Sequence, residues 1–90
     1  MYFLYIVQCS DDTLYTGITT DIERRVTEHN GSSKGAKYTR TRQPITLVYQ
    51  EVYENRSEAS KREYFIKKKM TRNDKLALIL SQRQGANFSL

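Results

Sequence analysis

The 90 residues are enough for one domain with a single modest core, and 15 Lys+Arg against 10 Asp+Glu give a net charge of +5 that suits an anionic partner, nucleic acid ahead of an acidic protein or a membrane surface. The lone Cys9 excludes an internal disulfide and, with no leader pattern in view, fits a reducing cytoplasm. The longest apolar run, Tyr2 to Val7, is far short of the ~20 residues a membrane-spanning helix needs, so no membrane span is expected.

The stretch YFLYIVQ is β-branched and aromatic, is bounded by the polar cluster CSDD and is followed by TLYTGIT, the pattern of a β-hairpin. Thr20, three residues before Glu23, signals a helix start and the Asn30-Gly31 pair a stop, so a first helix is expected from about Asp21 to Asn30. From Gly31 to Pro44 the chain carries Lys34, Lys37, Arg40 and Arg42 and no acid, and reads as a basic surface loop. ITLVYQEVY alternates as a third strand. Asn55 with Glu58 starts a second helix through SEASKREYFIKKKM, and Thr71 with Asp74 starts a third carrying Leu76, Ile79 and Leu80. The folded unit is expected over residues 1–82, with 83–90 a fraying tail. The order β-β-α-β-α-α predicts an α+β layer fold, three strands covered by about three helices.

Polar groups fall where apolar ones belong. In the first helix Ile22 and Val26 define a stripe that also passes through Arg25 and His29; in the second, the stripe through Ala59, Ile66 and Met70 passes over Glu63. An inward unpaired charge is costly, so these groups should pair or line a wet hollow. Side chains alternate along strands, so Tyr5 and Tyr15 share a face if the loop between the strands has an odd number of residues. Two phenols, an arginine, an imidazole and a carboxylate would then converge on one side of the sheet. Phosphodiester hydrolysis calls for such a set: a group to take a proton from water, a cation on the developing phosphorane charge, and a carboxylate holding a divalent metal.

With LYI at Leu4–Ile6, YTG at Tyr15–Gly17, RRVTEHNG at 24–31, SKGAKYTRTRQP at 33–44 and the helix around Glu63, the sequence resembles the GIY-YIG endonuclease superfamily, and in particular its stand-alone single-domain bacterial group. The resemblance covers nearly the whole chain to about residue 80. It implies a three-stranded antiparallel sheet flanked by helices, with a divalent metal, Mg²⁺ or Mn²⁺, held by a single glutamate and several waters. Carried onto this chain, Tyr5 and Tyr15 are the motif tyrosines, Gly17 closes the second signature, Arg25 is the phosphate-side arginine, Glu63 is the metal ligand, and His29 stands where relatives have His or Tyr. Two signature positions depart, Leu4 for a glycine and Thr16 for an isoleucine, and neither carries a functional side chain.

Lys34, Lys37, Tyr38, Arg40 and Arg42 on the loop, with Lys67, Lys68, Lys69, Arg72 and Lys75 around the helix junction, are candidate nucleic-acid contacts, the cations for phosphates and Tyr38 for a base. The leading expectation is therefore a metal-dependent endonuclease on nucleic acid, DNA before RNA, with branched or flapped structures as candidate substrates and a protein partner as a candidate source of specificity. The alternative is a catalytically idle module that docks on nucleic acid or a repair partner. Zinc is not expected, because one Cys and one His do not make a tetrahedral site.

Overall fold

Strand alternation sets the architecture, seen in a computed structural model that describes residues 1–31 and 34–88. β1 (Tyr2–Gln8) and β2 (Leu14–Thr19) form an antiparallel hairpin in which Tyr5 lies opposite Gly17 and Val7 opposite Tyr15. β3 (Thr46–Tyr53) pairs antiparallel with the other side of β1, so the sheet order is β2-β1-β3. The hairpin turn relies on aspartates: Asp12 takes a left-handed φ of 67°, and the Asp11 carboxylate accepts from the Thr13 hydroxyl at 2.6 Å.

Four helices follow among the described residues: α1 (Ile22–Gly31), the single turn α2 (Lys37–Arg40), α3 (Arg56–Lys69) and α4 (Arg72–Phe88). The cap signals hold for α3, where Asn55 accepts from the Glu58 N–H at 2.9 Å, and for α4, where Thr71 and Asp74 bond each other's backbone N–H reciprocally at 2.9 and 3.1 Å. The α1 cap lies one residue beyond the expected Thr20. The Thr19 hydroxyl holds the Asp21 N–H at 3.1 Å, which leaves the Asp21 carboxylate to cap the Arg24 N–H at 3.0 Å. The expected loop before Pro44 contains α2, and where the sequence reads as a tail from 83 the backbone stays helical as far as Phe88. The last residues of that expected tail lie outside the described residues.

Both faces of the sheet are covered. Leu4, Ile6 and Ile18 point to one side, where they pack with Ile66 of α3 and Ile79 of α4. Tyr5, Val7 and Tyr15 point to the other, against Ile22 and Val26 of α1. A bulge between Ile6 and Val7 lets Val48 and Tyr49 of β3 join the first cluster while Leu47 joins the second. Leu4, Ile6 and Ile66 are fully buried, each worth about 2 kcal/mol of hydrophobic stabilisation.

Two polar devices fix the helices. Tyr49, Glu51 and Tyr53 alternate along β3 on the α3 side; both phenols donate to the Glu51 carboxylate, and Arg62 of α3 grips it with Nε and Nη2 at 3.1 Å. These donors outweigh burial and hold the Glu51 carboxyl below its usual range, while burial and the Glu51 charge push both phenols up to about 12. On the outer edge of β3 the Gln82 side chain of α4 donates to the Gln50 carbonyl at 2.7 Å and accepts from the Gln50 N–H at 3.3 Å.

Candidate active site

The inward stripe of α1 forms the centre. His29 is wholly buried; its Nε2 is 2.8 Å from the Tyr5 hydroxyl and its Nδ1 is 2.7 Å from the Thr39 hydroxyl of α2. The Tyr15 ring meets the imidazole edge-on with centroids 5.4 Å apart, so the phenols share a face, as the odd hairpin loop requires. Tyr5 reaches this position by lying across Gly17 of the edge strand β2. A Cβ at Gly17 would stand 2.5 Å from the Tyr5 oxygen and 2.7 Å from Cζ, and no glycine among the described residues has a positive φ. Gly17 is thus required for space, not for backbone freedom.

Arg25, one turn before His29, is partly buried, and its Nη1 donates to the Glu28 carboxylate at 2.9 Å and to the Lys34 carbonyl at 2.8 Å. Its guanidinium also bears on the Tyr5 hydroxyl. Burial pushes the Tyr5 phenol up to about 12 against the pull of Arg25, and burial together with the Arg25 charge drives the His29 imidazole down to about 4. At neutral pH the centre is a neutral phenol bonded to a neutral imidazole, beside a permanent cation.

Glu63 arrives differently from the expectation that all these groups lie on one side of the sheet. Its helix α3 packs under the opposite face, through Ile66 against Leu4 and Ile6. Glu63 and Lys67, one turn apart and paired at 3.3 Å, reach the tyrosines past the free edge of β2: the Lys67 ammonium sits 5.5 Å from the Tyr15 ring centroid, and the Glu63 charge acts on the Tyr5 phenol. No cluster of three or more His, Cys, Asp or Glu occurs among the described residues, and Glu63 stands there as a lone carboxylate, which would be a single donor to any cation. Such a donor suits a hard divalent cation that keeps most of its waters and takes further oxygens from a phosphate; it does not suit zinc.

The basic residues divide. Lys37, Arg40, Lys67 and Lys68 are exposed, Lys67 while paired with Glu63. Arg42 instead pairs with Asp11 at 3.0 Å, donates to the Tyr38 carbonyl at 2.8 Å and covers the Tyr38 ring at 3.9 Å. Tyr38 stacks on Tyr15 with centroids 5.9 Å apart. These two hold the loop against the hairpin, and Lys34 gives its carbonyl to Arg25. Sequence reasoning passed over Thr39, which is fully buried under His29, and Glu51, whose signal was present in the Tyr-x-Glu-x-Tyr alternation of β3.

A family model for the GIY-YIG catalytic domain matches residues 1–76. Similar proteins include the UPF0213 protein DP2720 of Desulfotalea psychrophila, 58% identical over 84 residues covering 93% of this chain and 76% of the relative, and the UPF0213 protein CPE1444 of Clostridium perfringens, 54% identical over 82 residues covering 91% and 86%. Among solved structures, the UPF0213 protein BH0048 of Bacillus halodurans aligns with a TM-score of 0.55 at 42% identity over 88% of this chain and 83% of that one, and the protein EF2693 of E. faecalis with 0.61 at 41% over 92% and 86%. The matched span takes in Tyr5, Tyr15 and the Gly17 that follows them, the arginine and histidine of α1, and the glutamate of α3, and the chain belongs to the GIY-YIG family.

Proposed function

We propose that this chain is a divalent-metal-dependent endonuclease that hydrolyses phosphodiester bonds in nucleic acid, DNA before RNA. The observation that carries the reading is the buried Tyr5–His29 pair, 2.8 Å apart, set beside Arg25 and Tyr15 with Glu63 on the helix behind. A protein whose task were only to hold nucleic acid would gain nothing from a buried phenol–imidazole bond, nor from a carboxylate among phosphate-binding cations.

Each group has work suited to its surroundings. Arg25, fixed through Glu28 and the Lys34 carbonyl, is a preorganised cation for the charge that builds on the phosphorane. Tyr5 and Tyr15 flank the place where water attacks, and His29 is the one group against Tyr5 able to accept a proton. Glu63 would hold the metal, which when bound supplies positive charge near the leaving oxygen and acidifies a ligated water. Lys37, Arg40, Lys67 and Lys68 neutralise backbone phosphates and give affinity without sequence. A phosphate beside Arg25 offsets the charge that depresses His29, so substrate itself raises the basicity of the imidazole.

The test is incubation of the purified chain with labelled single-stranded, duplex, flap and four-way-junction DNA, with Mg²⁺ or Mn²⁺ and with chelator. Cleavage that needs the cation and is abolished in Glu63→Gln, with DNA affinity retained, supports the reading. Binding without cleavage on every substrate removes it in favour of a docking module, and cleavage unchanged in Glu63→Gln removes the metal role.

A further inference from the structure

Thr39, within the stretch 33–44 that carries the family resemblance, is as deeply buried as His29. The bonds around the two can be given a direction by counting protons. Arg25 bears on the Tyr5 hydroxyl and can only donate, so the Tyr5 proton must go elsewhere. Tyr5 is 1% exposed, and the acceptor within reach is His29 Nε2 at 2.8 Å. Nε2 must then be bare, and the one proton of the neutral imidazole sits on Nδ1. It points at the Thr39 oxygen, 2.7 Å away, and the Thr39 hydroxyl passes its own proton to the Ala36 carbonyl at 3.0 Å.

The opposite arrangement fails on the same count. With Nε2 protonated, His29 donates to the Tyr5 oxygen, and the Tyr5 proton loses the acceptor that lies 2.8 Å away. The favoured arrangement gives up one long contact, that of the Ala36 N–H 3.4 Å from Nδ1, but Ala36 is only partly buried whereas Tyr5 is 1% exposed. An unsatisfied buried hydroxyl costs about 1–3 kcal/mol, enough to decide between the two.

We infer that Thr39 is a positioning residue: anchored on the Ala36 carbonyl, its hydroxyl fixes His29 as the Nδ1–H tautomer and so makes Tyr5, not Tyr15, the phenol whose proton has a place to go. The consequence for catalysis rests on the nuclease reading. As water attacks, one of its protons passes to the Tyr5 oxygen and the Tyr5 proton passes to His29 Nε2. The resulting hydroxide bonds to phosphorus, the bond to the leaving oxygen breaks, and that oxygen takes a proton from solvent. Around the imidazole stand Tyr5 from β1, Tyr15 from β2, Arg25 and Glu28 from α1, and Thr39 from α2.

His29 is the only histidine in the chain, so its ring nitrogens give an unambiguous nitrogen-15 spectrum. In the wild-type protein near pH 7, free of metal and DNA, the proton is expected on Nδ1, with Nε2 at the shift of a bare nitrogen. Thr39→Val should move the proton to Nε2 and lower cleavage about 10²-fold, the range of a proton-transfer group lost, while Thr39→Ser should keep both the tautomer and the rate. A wild-type spectrum with the proton on Nε2 overturns the inference, even if no variant folds. An unmoved tautomer in folded Thr39→Val also overturns it. Failure of the nuclease reading shows separately, as no cleavage by a wild type whose proton is on Nδ1.

Discussion

Replacing Gly17 with alanine tests the closest contact of the site. In a strand, Gly→Ala ordinarily stabilises by roughly 0.5–1 kcal/mol, because glycine loses more freedom on folding. Here the added Cβ lands 2.5 Å from the Tyr5 oxygen and 2.7 Å from Cζ, and the ring must retreat until the contact reaches an ordinary 3.4 Å. It has little room: Tyr5 is 1% exposed and its hydroxyl is bonded to a wholly buried His29. Overpacking costs about 1–3 kcal/mol and a stretched buried hydrogen bond about 1 more, so Gly17→Ala should lose roughly 3 kcal/mol, a fall in Tm on the order of 15 °C for a domain of this size. Urea and thermal unfolding of four proteins, wild type, Gly17→Ala, Tyr5→Leu and the double variant, measure it. Alanine should be harmless once the phenol is gone, giving a coupling of about 2 kcal/mol or more. A Gly17→Ala protein as stable as the wild type, or a cycle with no coupling, refutes the argument that this glycine exists to make way for Tyr5.

Three further outcomes follow from the same geometry. The unfolded chain protonates His29 near 6.5 and the folded chain near 4, so the stability conferred by the buried neutral imidazole is full above pH 7 and drains as pH falls from 6.5 towards 4; urea titrations should lose about 2 kcal/mol between pH 7.5 and 5, a slope absent from His29→Asn. Glu51→Gln removes the charge that two phenols and Arg62 share and should cost about 2 kcal/mol, less than a fully buried pair because the carboxylate keeps 18% exposure; an unmoved urea midpoint would refute this. Lys67→Ala and Lys68→Ala should each lower the slope of log affinity against log salt by about 1, equally on every DNA sequence, and a slope that stays put would remove those residues from the phosphate surface.

What the sequence made legible was local or periodic. Asn55 with Glu58 and Thr71 with Asp74 declare their helices because each cap closes within three residues. The stripe of α1 foretold the inward turn of Arg25 and His29, and strand parity foretold that the phenols share a face. Long-range features were not legible. Nothing within the basic loop says that Thr39 will be buried, since its partner lies ten residues upstream on another helix. The layer that carries Glu63 was misread because a helical stripe says only that a side is buried, not which face of the sheet it covers. The Thr20 signal failed for a local reason: the Thr19 hydroxyl took the Asp21 N–H and moved the helix start by one residue.

The amide of Gln82 bears on whether copies of this chain can pair edge to edge. An unpaired strand rim is a template on which identical chains can stack into fibres. On β3 that rim is stoppered by a side chain bonding both the donor and the acceptor of Gln50. The opposite rim, β2, is the one beside which the phenols and the carboxylate gather. A chain cut short before residue 82 would therefore keep every proposed catalytic group and still be prone to polymerise through its exposed flank.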